Sequence, residues 1–88
     1  MRIWFKEISG THLVRDITIE DYSEDSRTHK IMNALDEACH ELDLARPIWL
    51  DGTINDFKRT ARARFTQDAF VEELPFDYLE IHVIEEDY

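Results

Sequence analysis

Apolar residues recur at every second position on either side of Ser9-Gly10-Thr11, a pattern that predicts two strands, residues 1 to 8 and 12 to 20, joined as a hairpin. Residues directly opposite in a hairpin share a face, so paired numbers with an even sum bring the apolar positions together. Ile8 opposite His12 satisfies this with a three-residue loop. Ile3, Phe5, Leu13, Ile17 and Ile19 then line one face, on which Glu7 and Arg15 are charged intruders.

An acidic loop, Glu20 to Asp25, leads to a helix beginning near Ser26, with Ser23 or Asp25 as its expected cap. Ile31, Ala34, Leu35, Ala38 and Leu42 fall at the spacing of one helical stripe, with Met32 and Cys39 at its edge. Arg46-Pro47 stops that helix by Leu44. After the connector Pro47 to Leu50, Asp51-Gly52 reads as a turn and Thr53 as the cap of a second helix, from Ile54 to about Phe65, burying Ile54, Phe57, Ala61 and Phe65. Thr66-Gln67-Asp68 offers a cap for one more turn through Phe70 and Val71, and Pro75 ends what precedes it. In the last strand, residues 77 to 85, Leu79, Ile81 and Val83 alternate with Tyr78, Glu80, His82 and Ile84. The expected fold is therefore a single α+β domain over 1–88 of order ββααβ, a three-stranded, largely antiparallel sheet with both helices on one face.

Charge changes the picture first. Among 88 residues, twenty Asp and Glu oppose ten Lys and Arg, a formal charge of -10 with a pI near 4.6. Phosphate polyanions are repelled by such a field, so direct nucleic-acid binding is not expected. The lone Cys39 leaves no internal disulfide, which suits a reducing compartment. Charges at Arg2, Lys6 and Glu7 interrupt any leader-like apolar run, and no stretch reaches the roughly 18 apolar residues of a membrane span. The expectation is a soluble cytoplasmic protein without membrane association.

Several chemistries are unsupported. Two glycines, Gly10 and Gly52, cannot build a phosphate-cradling loop, and one cysteine cannot build a thiolate zinc site or a redox pair. His40-Glu41-Leu42-Asp43-Leu44 lacks the second histidine of a metalloprotease helix. His29 and His40 are about 16 Å apart along their helix, too far to share an ion, while Asp36 and His40 have the spacing of an ordinary surface pair. The acidic loop lacks the glycine and distal glutamate of a calcium loop. No metal and no cofactor are expected, and no carboxylate pair or nucleophile stands out as catalytic.

Two surfaces remain. The outer sheet face is expected to carry Trp4, Lys6, Ile8 and Val14 from the hairpin and Tyr78, His82 and Ile84 from the last strand, rimmed by Arg2, Asp16 and Glu80. That mixture is typical of a protein interface, unless a helix or the Trp49 connector covers it. The second surface is Lys58, Arg59, Arg62 and Arg64, four cations within seven residues. On a helix they border the buried stripe, where they either pair with neighbouring acids or bind an anion or acidic partner. The leading expectation is a non-enzymatic module that binds a protein partner or itself, as in a homodimer. An acidic nucleic-acid mimic is the alternative, resting on the acids of Glu20 to Asp25, Asp36 to Asp43 and Glu85 to Asp87. A small hydrolase or transferase ranks last.

Overall fold

The computed structural model describes residues 1–87. Strands β1 (Arg2–Ser9) and β2 (His12–Glu20) are followed by helices α1 (Arg27–Glu41) and α2 (Asp51–Thr60), then β3 (Arg62–Thr66), a 3-10 turn (Gln67–Ala69) and β4 (Tyr78–Glu85). The sheet is four-stranded and antiparallel throughout, in the order β2-β1-β4-β3.

The hairpin forms as its alternation demands, but in another register. Arg2 pairs with Glu20 and the ladder runs evenly to Glu7 opposite Arg15, then slips so that Ile8 faces Leu13 and Ser9 faces His12. Val14 is the extra residue of this bulge, and the turn shortens to Gly10-Thr11, with Gly10 at φ 62. A one-residue slip moves side chains to the opposite face. Leu13 therefore leaves the expected core face and is 49% exposed, whereas Ile3, Phe5 and Ile19 are buried. The two intruders satisfy each other: the Arg15 guanidinium donates to both Glu7 carboxylate oxygens, at 2.8 and 2.9 Å.

Helix α1 is capped by Ser26 itself, whose hydroxyl accepts from the His29 backbone N–H at 3.2 Å, rather than by Ser23 or Asp25. At its other end Asp43 adopts φ 56, and the Leu44 and Asp43 amides donate back to the Cys39 and His40 carbonyls at 2.8 and 3.3 Å. That is a Schellman motif with aspartate in the position glycine usually takes. Arg15 also donates to the Leu42 carbonyl at 2.9 Å, placing a cation at the negative end of the helix.

The second helix departs most from expectation. It starts at Asp51, after Leu50 and without a side-chain cap from Thr53, and it ends at Thr60 instead of Phe65. Ala61 takes the left-handed conformation, φ 57, and its amide donates to the Phe57 carbonyl at 2.8 Å. The chain then turns into β3, which pairs with β4 from Arg62 opposite His82 to Thr66 opposite Tyr78. Ala61 and Phe65 fit a helical stripe, but Ala63 and Phe65 equally fit one face of a strand. Pairing satisfies the free edge of β4, whose unpaired amides and carbonyls would otherwise face water or a foreign strand. The turn expected through Val71 closes earlier, at Ala69, and Val71 is 89% exposed.

One core results. The α1 stripe and Phe57 of α2 pack with Ile3, Phe5, Ala63, Phe65, Leu79 and Ile81 of the sheet's inner face. Trp49 closes it from the connector, edge-on to Phe57 and Phe65 with ring centroids 5.4 and 4.8 Å away. Neither helix nor the connector thus lies on the outer sheet face. No described helix is long and apolar enough to cross a membrane.

Candidate functional site

The outer face is ordered as rows that cross the sheet. Thr18, Trp4, His82 and Arg62 are successive neighbours in one row, and Asp16, Lys6, Glu80 and Arg64 in the next. Leu13, Ile8, Tyr78 and Thr66 form a third. Directly opposed side chains in a sheet lie within contact distance, so cations and aromatic rings interleave here by register alone.

Each ring is engaged by a cation. The Lys6 ammonium sits 4.0 Å from the centre of the Trp4 ring, and the Arg64 guanidinium 4.5 Å from that of Tyr78. The Trp4 indole N–H donates to Asp16 at 2.8 Å. Glu80, expected at the rim, instead sits buried at the centre, 2.6 Å from the Lys6 ammonium and 3.9 Å from Nε of Arg62. Arg62 also reaches Nδ1 of His82, at 3.1 Å. Burial foremost, then the positive charges of Arg62 and Lys6, lowers the pKa of His82 below its ordinary value. In these two rows three fixed cations meet two carboxylates, while in the adjoining row Arg2 lies between Glu20 and Glu85, so the positive excess is confined to the Arg62–Arg64 end of a face on a protein of formal charge -10.

The basic segment is thereby divided. Arg62 and Arg64 join Trp4, Tyr78 and His82 on the sheet, while Lys58 and Arg59 stay on α2, so the helical flank expected to hold Lys58, Arg59 and Arg62 does not exist. Arg59 pairs with Asp56 at 3.3 Å. A polar groove of about 320 Å³, lined by Asp56, Arg59, Thr60, Arg62, Arg64 and Glu80, runs from the end of α2 onto the outer face. Val14, 52% exposed, belongs to the hairpin bulge, and Ile84 to a second register slip near the far end of β4; neither enters the rows. The alternation Arg62-Ala63-Arg64-Phe65-Thr66 was the sequence signal for this strand.

At another end of the molecule two acidic segments meet. Asp87 binds Lys30 at 2.6 Å, and Arg27 grips Glu86 through two bonds of 2.9 Å. These bonds hold the Asp87 and Glu86 carboxyls below their usual pKa range. Tyr22, Ser23, Glu24, Asp25, Lys30 and Asp87 line a polar hollow of about 400 Å³. Asp36 pairs with Arg46 at 3.0 Å, not with His40. Among the described residues no group of three or more His, Cys, Asp or Glu side chains is placed to hold a metal ion. Cys39 is buried, with its thiol pushed up to about 11 chiefly by desolvation.

No family model, no curated protein and no solved structure matches the chain.

Proposed function

We propose that this protein is a non-catalytic interaction module that binds an acidic protein segment on the outer face of its sheet. The observation that carries the reading is the register placing Arg62 and Arg64 beside Trp4, His82 and Tyr78, on a face neither helix covers. Arginine binds carboxylates in a planar, two-pronged geometry, and tryptophan and tyrosine are frequent anchors of interfaces. The positive charge at the Arg62–Arg64 end selects an acidic partner, whereas a second copy docked by the same face would set like charges against each other. The lone buried thiol suits the cytoplasm.

Fluorescence anisotropy of a labelled Glu- and Asp-rich peptide tests the proposal. Binding should weaken with salt and fall at least about tenfold in Arg62→Gln/Arg64→Gln, both exposed positions, while Lys58→Gln binds as the parent does. Equal binding by all three proteins, or none by the parent, refutes it. A dimer seen by light scattering and lost in Trp4→Ala/Tyr78→Ala would replace the acidic segment by a second copy.

The convergence of Glu20 to Asp25 with Glu85 to Asp87 favours a second reading, an acidic end that mimics nucleic acid towards a DNA- or RNA-binding protein. Its weakness is pairing: Asp87 and Glu86 are already held by Lys30 and Arg27. Competition by duplex DNA for a captured partner, abolished by Glu24→Gln/Asp25→Asn, is the outcome that reading requires.

A further inference from the structure

A separate cleft of about 230 Å³ opens between α1 and α2, on the helical side of the protein, lined by Ile31, Met32, Trp49, Ile54, Phe57 and Lys58, with Arg27 and Thr28 at its mouth. Its wall is mainly apolar, and two features break that character. Nε1 of Trp49 is buried and has no hydrogen-bond partner among the described residues. Lys58 is exposed and makes no ion pair with any described residue, in contrast to Arg27, which holds Glu86. Trp49, whose buried indole N–H has no acceptor among the described residues, and Lys58, which has no ion-pair partner among them, thus both line one mainly apolar cleft.

We infer that this cleft is a binding site for a small amphipathic carboxylic acid, whose apolar body contacts Ile31, Ile54 and Phe57 and whose carboxylate answers Lys58 and the Trp49 N–H. Small-molecule sites combine an apolar lining with a few polar groups that fix orientation, and this one holds a ligand of about ten non-hydrogen atoms at ordinary packing. Charge fixes the ligand class: an anion supplies the acceptor Trp49 lacks and the counter-charge Lys58 lacks, and a neutral alcohol supplies only the first. The site is independent of the sheet face. Trp4 and Arg62 contribute nothing to it.

The test follows the two indole N–H resonances of the full chain by NMR, assigned with Trp4→Phe, during titration with sodium octanoate and, separately, 1-octanol. Octanoate should shift the Trp49 resonance saturably, with Kd on the order of 0.1–1 mM, and leave Trp4, bonded to Asp16, in place. Lys58→Gln, an exposed change that should leave the fold intact, should weaken octanoate about fivefold and octanol hardly at all. The inference is overturned if Trp49 shows no saturable shift or if both indoles move alike. It is equally overturned if octanol binds as well as octanoate, or if Lys58→Gln binds octanoate like the parent.

Discussion

Arg62 and His82 face each other across the β3–β4 ladder, with the guanidinium 3.1 Å from Nδ1 of the imidazole. Arginine has no acceptor and does not lose its proton, so this contact is a hydrogen bond only when His82 is neutral and carries its proton on Nε2. Neutral His82 protonated on Nε2 is thus the form in which the two side chains bond on the proposed binding face.

A pH dependence follows. The pKa of His82 is lowered by folding, so the unfolded chain takes up the proton first, and the native state loses stability as pH falls below the ordinary value of 6.5. Urea unfolding between about pH 7.5 and 5 should show stability declining with acid through this site, and His82→Gln should remove that part of the slope.

Asp87 is shifted in the same direction for the opposite reason, since folding favours its charged form. Its carboxyl is lowered by hydrogen bonds from Lys30 and the chain's amino group, so its contribution is present above the ordinary 3.8 and lost as pH falls through the lower folded value. Asp87→Asn should unfold more readily at neutral pH and show a shallower acid limb in circular dichroism.

Glu7 is 1% exposed, and among the described residues its ion-pair partner is Arg15. Removing one member of such a pair leaves a buried charge, whereas replacing both by apolar groups removes the need for the partner. Arg15→Ala should therefore lower the urea midpoint more than the double change Glu7→Leu/Arg15→Leu.

Ala61 holds a left-handed conformation that costs a non-glycine residue roughly 1–2 kcal/mol. Glycine relieves this cost but loses more chain entropy on folding, so Ala61→Gly should stabilise by about 0.5–1 kcal/mol. Ala61→Val should destabilise, and urea midpoints distinguish the two.

The Cys39 thiol, pushed up to about 11 by burial, is neutral and enclosed in the native state. A disulfide reagent at pH 8 should label it only as fast as the chain opens, and added urea should accelerate labelling. Above the ordinary value of 9.0 the unfolded thiol ionises first, so stability should fall with rising pH, and Cys39→Ala should flatten that loss.

The candidate face was half legible before folding. Trp4, Tyr78 and His82 could be placed together because side chains alternate strictly along β1 and β4. The Lys6–Glu80 pair at its centre depended on which residues of two distant strands stand opposite. The α1–α2 cleft had no local signal, since Trp49 and Ile31 meet only when the connector folds back over the core.

The sequence alone determined the hairpin, the α1 helix and the inward face of β4, because their periods are carried by neighbours a few residues apart. It could not decide residues 61–66, where Ala61, Ala63 and Phe65 satisfy both a helical and a strand period. Tertiary structure settled that segment through the open edge of β4, whose backbone groups gain partners from Arg62 to Thr66 that a longer α2 could not provide. The same pairing carried Arg62 and Arg64 onto the sheet, and a slip of one residue at Val14 sent Leu13 away from the core. Register between distant strands is a property of the whole fold, and it decided which charges share a surface.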